Sequence, residues 1–460
     1  MIAQDRRVAE ALFFEGNCRM QSGDDVLAEA CLRQALRIAP EFAEGHANLG
    51  YLHERRGSFA SAEFHYRRSI ALNPAISDTH LNLGALLARA KRFAEAEAAY
   101  VQAIALRPAS PAAWSNLGAL YACMQREEEA EQCYRAAMIL DQGYAAARFN
   151  LSYLLLRQGR FEEGWRCLEA RNWYAALAAR IACPRWQGEA LAGKSILIGC
   201  EAGHGDMIQF CRYTALLKAQ GAARISLMCH PALKVLFAQL EGVDELISVD
   251  QPIPSSGWDL WTPLLSIPCH CKTRADSIPA ELPYLRVPPS RRAKWKPLIP
   301  ADRLRVGLAW KGNPLFENDA DRSLPSLQTL APLAAVAGVR FVSLQKGAGE
   351  DEATRPPAGL SLLALGPQMQ DFADTAAVVE NLDLVICVDT ALAHLAGALG
   401  KPCWVLLPAY KTDWRWLKDR ADSPWYPAVM RLFRQSAMGD WSGVMAELVH
   451  ALRRLAADRA

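Results

Sequence analysis

Four asparagines, Asn48, Asn82, Asn116 and Asn150, recur every 34 residues. Each precedes a leucine (Leu49, Leu83, Leu117, Leu151) and a small residue (Gly50, Gly84, Gly118, Ser152). A fixed period of this length dictates a stack of similar units, because one unit alone cannot bury its apolar face. Other positions keep the register. Pro40, Pro74 and Pro108 share the spacing, with Gln142 in the fourth slot. Small residues recur at Ala28, Ala62, Ala96, Ala130 and Gly164, and large ones at Leu32, Tyr66, Tyr100, Tyr134 and Leu168. The pattern predicts two antiparallel helices per unit. Small residues let the helices cross closely, large rings fill the gap, and proline ends the second helix.

This pattern resembles the tetratricopeptide repeat. Four repeats are read over about 6–142 and a partial fifth to about 170, so residues 1–170 are assigned to a helical solenoid. The asparagines have two readings. An amide carries both donor and acceptor, so a ladder of four can hold a peptide by its backbone. Alternatively, asparagine before Leu-Gly, which is common in such repeats generally, simply fixes local helix packing. Either way the array is a protein-binding module or assembly surface, and self-association into a homo-oligomer is compatible with it.

At 460 residues the chain is too long for one core, and two or three domains are expected. Apolar residues make up 51% and charged residues 22%, an ordinary globular balance. A net charge of +2 gives no electrostatic case for nucleic acid or an anionic membrane as main partner. Thirteen cysteines are scattered without zinc-finger spacing, Cys269-His270-Cys271 being too close. The N-terminus lacks a long apolar leader, and no apolar run is long enough to span a membrane. An odd cysteine count fits a reducing cytoplasm, which is the expected location.

Residues 171–192 break the period, contain Pro184-Arg185-Trp186, and are read as a connector. Beyond it the patterning changes to α/β. Ser195–Gly199 is a strand-type run, then Cys200-Glu201-Ala202-Gly203-His204-Gly205-Asp206, then a helical pattern from Met207 to Gln220. Strand, glycine-rich turn and helix open a doubly wound domain. Further strands are expected at Ala223–Cys229 and Glu245–Val249, and 251–300 reads as an irregular end plus linker. A second α/β unit starts at Arg305–Trp310. It continues with a loop to Pro325, a helix at Ser326–Ala337 and a strand at Arg340–Leu344. A helix at Asp371–Asn381, a strand at Leu384–Val388, a helix at Ala391–Leu399 and a strand at Cys403–Leu407 complete it. The expected domains are therefore 193–300, 301–440 and a terminal helix over 441–460. Two such sheets predict two facing Rossmann-like domains, with ligands at the carboxyl ends of their strands.

Three constellations stand at those ends. Asp389-Thr390-Ala391-Leu392-Ala393-His394 follows the Leu384–Val388 strand. Its helix start offers free amides to a phosphate, Thr390 adds a hydroxyl, and His394 lies one turn in. The competing reading is that Asp389 or Thr390 only caps the helix. Lys311, Arg322, Ser323 and Lys346 follow strands of the same half, and three cations and a hydroxyl are what a departing diphosphate needs. Single loop cations are more often solvated surface. In the other half, Gly203 and Gly205 bring backbone close to a ligand. Asp206 at that helix start suits a general base, although an aspartate there usually caps. An aromatic stretch, Asp413-Trp414-Arg415-Trp416 and Ser423-Pro424-Trp425-Tyr426-Pro427, is read as packing between the halves rather than as a sugar platform.

From about 193 to 440 the chain resembles the heptosyltransferase-type glycosyltransferases of GT-B fold. The match rests on Val388-Asp389-Thr390-Ala391-Leu392-Ala393-His394-Leu395-Ala396, on Gly205-Asp206, and on Arg322-Ser323-Leu324-Pro325. The resemblance implies Asp206 as base, Arg322 on the donor phosphates, and Asp389, Thr390, Ala391 and His394 around the donor sugar and phosphates. Lys311 and Lys346 join the set by position alone. His204 is a departure, since a small or apolar residue is more usual between the two glycines. The layout of repeats plus GT-B pair is also similar to protein O-GlcNAc transferases, whose repeats present a polypeptide.

Two functions follow. The first is a metal-independent glycosyltransferase without cofactor, moving a sugar from a nucleotide-diphosphate sugar to a hydroxyl acceptor, a protein brought by the repeats. Its cations take the place of a metal, and no DxD motif stands in a metal position. The second is a non-catalytic scaffold with a degenerate glycosyltransferase module. Retention of Asp206, Arg322, Asp389, Thr390 and His394 favours the first.

Overall fold

The period is built as helix pairs. The computed structural model describes residues 2–254 and 256–459, and the chain divides into two units, 1–151 and 152–460. The first unit contains α1 (Ile2–Gln21), α2 (Asp25–Ile38), α3 (Ala43–Arg55), α4 (Phe59–Leu72), α5 (Ser77–Arg89), α6 (Phe93–Leu106), α7 (Pro111–Cys123) and α8 (Glu127–Leu140). The boundary falls in α9 (Ala145–Arg157), which α10 (Phe161–Leu168) follows.

The conserved spacing has a steric cause. A Cβ on Gly50, Gly84 or Gly118 would lie 2.7, 2.6 or 2.9 Å from the ring of Tyr66, Tyr100 or Tyr134. Only glycine lets the first helix of a pair rest on the tyrosine of the second. In the first pair a Cβ on Gly16 would meet a leucine, Leu32, at 3.1 Å. A second repeated bond closes each helix junction. A ring nitrogen of His46, His80 and Trp114 faces the carbonyl of Pro40, Pro74 and Pro108 at 3.1, 2.9 and 3.0 Å. Arg148 donates to the Gln142 carbonyl at 2.6 Å in the fourth slot. Repeat-to-repeat ion pairs, Arg92 with Glu63 and Arg126 with Glu97, are half exposed and therefore contribute little.

Gly84→Ala is expected to destabilise the chain by about 1–3 kcal/mol, because the Tyr100 ring is buried and cannot retreat. Tyr100→Leu should offset part of that loss, as Leu32 does against Gly16. Denaturant unfolding of the two single variants and the double variant measures it, and strict additivity would refute the steric account.

The second unit holds two parallel sheets. The first has β1 (Ser195–Gly199), β2 (Arg224–Cys229), β3 (Glu245–Ser248) and β4 (Leu260–Pro263), in the order β3-β2-β1-β4. The second has β5 (Leu304–Ala309), β6 (Val339–Ser343), β7 (Leu362–Ala364), β8 (Leu384–Val388), β9 (Cys403–Leu407) and β10 (Met430–Arg434), in the order β10-β9-β8-β5-β6-β7. Strand order in that sheet reverses between β5 and β8, so a crevice opens where their carboxyl ends diverge. The fold is thus a helical array followed by α/β structure with parallel sheets. Among the described residues no helix is long and apolar enough to cross a membrane.

Several expectations need correction. The region 251–300 contains β4, which joins the first sheet beside β1. The helix expected from Met207 to Gln220 is two, α11 (His204–Phe210) and α12 (Tyr213–Ala219), parted at Cys211-Arg212. The helix expected at Ser326–Ala337 is 3-10 over Leu327–Ala335, with Pro332 inside removing an amide donor. The segment 171–192 is tied into the first sheet rather than hanging between domains. Arg185 bridges to Trp261 in parallel, and a Cβ on Gly199 would meet Leu177 at 2.5 Å. The fully buried Arg171 pairs with the fully buried Glu201 at 2.8 Å and also bonds Ser266. Helices α13 (Phe372–Glu380), α14 (Ala391–Ala398) and α15 (Ser442–Ala457) complete the elements used below.

Candidate functional site

Two strand-to-helix turns, one from each sheet, meet at a seam. The β8 strand delivers Asp389 and Thr390 to the start of α14, and β1 delivers Gly203 to the start of α11. A Cβ on Gly205 would lie 3.0 Å from His394 Cδ2 and 3.4 Å from Ala391 Cα. That glycine is what allows the two helix starts to touch. Thr390 is extended (φ −146°) and caps α14 without using its hydroxyl. Its hydroxyl and the first amides of α14 stay available to an anion.

The seam carries a charge network. The Asp206 Oδ2 accepts the Gly203 amide at 3.0 Å, and its Oδ1 is bonded to Arg415. Arg415 also donates to both oxygens of Asp413 at 3.0 Å and to the Gln209 side chain at 2.8 Å. Asp206 therefore stands at the helix start with one hydrogen bond on each oxygen, and each oxygen keeps a second lone pair. Asp389 lies beside the same network. Burial, and then the Asp413 charge, push its carboxyl up to about 6, against the Trp416 indole and the Arg322 and Arg415 guanidiniums. A carboxyl raised in the folded state favours folding at pH below its unfolded value, and that contribution is lost as pH rises through about 6. Asp389→Asn is thus expected to raise the melting temperature at pH 7.5, with the gain vanishing toward pH 4, which paired thermal melts will show.

His394 is buried and neutral. Burial first, then the charges of Arg415 and Arg212, hold its pKa far below the usual imidazole range. Its Nδ1 meets the Tyr426 hydroxyl at 2.8 Å and its ring stacks on Trp416 at 5.2 Å. It packs the seam instead of lining an open mouth.

The cations do not converge as a set. Arg322 bonds Asp319 at 3.1 Å and stacks on Phe316 at 4.3 Å, and its charge acts on Asp389. Ser323 is buried, accepts the Gly312 amide at 2.8 Å and donates to Asp319 at 3.0 Å, closing the loop after β5. Lys311 turns away to the Pro325 carbonyl at 2.9 Å and to Glu352 at 3.6 Å. Lys346 lies against the Gly366 carbonyl at 3.3 Å and Glu350 at 3.8 Å. Both lysines brace loops, leaving Arg322 as the member of this set whose charge acts on Asp389.

Some organising residues escaped the sequence reading. Gln345 accepts the Trp310 and Lys311 amides at 2.9 and 3.0 Å and donates to the Lys311 and Ala348 carbonyls, pinning the loop after β5 to the loop after β6. Arg212, at the α11–α12 break, donates to the Trp425 carbonyl at 2.6 Å and the Tyr284 hydroxyl at 2.8 Å. Phe210 and Trp165 meet Trp414 and Trp425 edge-on or tilted, so the aromatic stretch packs between the sheets' helices. A charge inside an aromatic run, as Arg415 is, was the available signal, since a buried guanidinium must be paired. Two surface cavities of about 270 and 370 Å³ lie elsewhere, one at Trp404 and Arg431, the other at Ser326 and Arg355.

The four asparagines are half-buried. Asn48 donates to Asn17 of the preceding helix pair, whereas Asn82, Asn116 and Asn150 make no side-chain hydrogen bond among the described residues.

Residues 328–407 match Glycosyltransferase family 9 (heptosyltransferase), a stretch that includes Asp389, Thr390, Ala391 and His394. Residues 16–77, 47–111 and 81–144 match the tetratricopeptide repeat. Protein FlbA of Caulobacter vibrioides is 29% identical over 297 residues, which is 59% of this chain and 48% of FlbA. The chain thus spans about half the length of that relative. Among solved structures, Pseudomonas aeruginosa pilF (22% identity, TM-score 0.35) covers 36% of this chain and 76% of its own. The tetratricopeptide protein YrrB (18%, TM-score 0.31) covers 35% of this chain and 82% of its own. The chain joins tetratricopeptide repeats to a C-terminal region of the family-9 glycosyltransferase type.

Proposed function

We propose that this chain, a repeat array joined to a family-9-type glycosyltransferase region, transfers a sugar from a nucleotide-diphosphate sugar to a hydroxyl acceptor that the repeats present. The observation that carries the reading is the strand order of the second sheet. It sets the Asp389-Thr390 turn and the Arg322 loop on the two sides of one switch-point crevice, after β8 and β5. The donor diphosphate rests at the start of α14 on the Ala391 and Leu392 amides and the Thr390 hydroxyl, and Arg322 balances its charge. The two sheets act as a GT-B pair, metal-independent because the guanidinium and helix amides stabilise the leaving group. The unbonded amides of Asn82, Asn116 and Asn150 support a peptide acceptor.

Two observations favour the scaffold reading: the pairing of Asp206 with Arg415 and the buried His394 describe a seam that packing alone explains. A thermal-shift screen of the full chain against ADP, UDP, GDP and CDP and their sugar conjugates separates the two. Stabilisation by one nucleotide, lost in Arg322→Ala, is expected. No stabilisation by any nucleotide of well-folded protein would favour the scaffold.

A further inference from the structure

Asp206 is held from the side of the second sheet. Its partner Arg415 stands in a single 3-10 turn, Trp414–Trp416, that follows β9, whereas Asp206 lies in α11 after β1. The bond between them joins residues 209 apart in sequence. The guanidinium is locked in place. It lies 4.4 Å from the Trp414 ring centre and 5.7 Å from that of Phe210. One of its nitrogens donates to both oxygens of Asp413 at 3.0 Å, and the Arg415 backbone amide donates to Asp413 Oδ1 at 2.9 Å. Nε donates to Gln209 Oε1 at 2.8 Å, and the remaining nitrogen donates to Asp206 Oδ1. Each arm of the planar fork thus has a fixed partner.

Gln209 shows how strongly the fork directs its neighbours. It stands three residues after Asp206, on the same face of α11. It is fully buried, and turning its oxygen to Arg415 leaves its Nε2 without a hydrogen-bond partner among the described residues. A buried donor without a partner is unfavourable, and the charged bond to Arg415 offsets it. We propose that Arg415 is a positioning residue: from the second sheet it orients the Asp206 carboxylate for proton transfer from the acceptor hydroxyl. The inference rests on the transfer reading above, with Asp206 as its base.

The Gly203 amide holds Oδ2 and Arg415 holds Oδ1, so the carboxylate is fixed at both ends. Each oxygen keeps a lone pair for a proton. A Cβ on Gly205, the preceding residue, would lie 3.4 Å from Ala391 Cα, and the Arg415 charge acts on Asp389 at the head of the same donor turn. In the step, the acceptor O–H bond breaks and its proton moves to a lone pair of Asp206. The acceptor oxygen bonds to the anomeric carbon. The bond from that carbon to the diphosphate oxygen breaks, and its electron pair leaves with the nucleoside diphosphate. While Asp206 is neutral, Asp413 still compensates the guanidinium, so no buried charge is left bare. The carboxylic acid then gives its proton to water.

The test follows release of nucleoside diphosphate by the full chain, with ADP-, UDP-, GDP- and CDP-hexoses and -heptoses and a mixture of serine-, threonine- and tyrosine-containing peptides. Protein is kept in excess over labelled donor, so slow variants remain measurable. Arg415→Lys keeps a positive charge near both carboxylates and removes the fork. It is expected to lower the rate of transfer by about 100-fold, as a misplaced group does, with nucleotide-induced stabilisation unchanged. In an Asp206→Asn background the same substitution should change the rate by no more than about twofold, because no base is left to position. A merely structural role would carry the full loss into both backgrounds. Should the lysine variant fold poorly, Gln209→Met removes one arm of the fork and is expected to lower the rate about 10-fold, again only where Asp206 is present. A wild-type rate in Arg415→Lys, or equal losses with and without the Asp206 carboxylate, overturns the positioning role and leaves the transfer reading intact. An Asp206→Asn protein as fast as wild type does the same. Wild-type protein that releases nucleoside diphosphate from none of the donors overturns the transfer reading, and this inference with it.

Discussion

Arg415→Met is expected to destabilise the α/β unit by about 3 kcal/mol, at the lower end of what breaking a buried charge network costs. The guanidinium is only 9% exposed and holds two carboxylates, Asp206 and Asp413, each 23% exposed. Removing it leaves both without a counter-charge next to Asp389, whose carboxyl burial and Asp413 already push up. Their partial contact with water is what keeps the figure from the upper end. Methionine fills much of the space between Trp414 and Phe210, over which the guanidinium lies at 4.4 and 5.7 Å, so the loss is electrostatic more than steric. Arg415→Lys should recover only part of it, because one ammonium cannot replace a planar fork that serves Asp206, Asp413 and Gln209 together. Denaturant unfolding at neutral pH measures the cost. Adding Asp206→Asn to Arg415→Met should restore a portion, and a double variant no more stable than the single one would show that the pair is not coupled.

Arg322→Ala is expected to lower turnover by about 100- to 1000-fold, the usual loss when one donor to a developing oxyanion is removed. Arg322 lies at the foot of the loop after β5, braced by Asp319 and by the Phe316 ring, and its charge acts on Asp389. On the proposed reading its charge balances the leaving diphosphate, so the loss should appear in kcat and in nucleotide-induced stabilisation together. The loop itself should survive, because Ser323 still ties Gly312 to Asp319. Lys311→Ala makes the contrast. That ammonium is spent on the Pro325 carbonyl and Glu352, so its removal should loosen the loop with a much smaller effect on turnover. Steady-state kinetics with the donor identified by thermal shift decide between them, and equal losses in the two variants would contradict the placement of the diphosphate.

Much of the architecture is legible locally. The repeat register is set by which side chain faces each glycine, a contact between residues 16 apart within one helix pair, such as Gly84 and Tyr100. Strands β1, β8 and β9 are apolar runs bounded by turn residues, and their bounds in the structure are those read from sequence. The sequence reading missed β4, β7 and β10. The first lies in a proline-rich stretch, the second is three residues long, and the third is an edge strand interrupted by arginines. The helix break at Arg212 was invisible because apolar periodicity runs on through it, while the arginine's partners, Trp425 and Tyr284, lie far along the chain. The same distance hid the partner of Asp206. A carboxylate at a helix start reads alike as base or cap, and Arg415, which decides the matter here, is 209 residues away. Lysines placed after strands share an edge by topology, yet where an ammonium points depends on the nearest carbonyl or carboxylate, as Lys311 and Lys346 show.

The central claim is that the α14 start and Arg322 hold the diphosphate of a sugar donor for transfer. The measurement that tests it most directly is release of nucleoside diphosphate by the full chain across the ADP-, UDP-, GDP- and CDP-sugars, with wild type and Arg322→Ala side by side. The account predicts release from donors of one nucleotide base, reduced about 100-fold or more by the substitution. Folded protein that is neither stabilised by any of these nucleotides nor able to release one would contradict it and leave the repeat array as the working part of the chain.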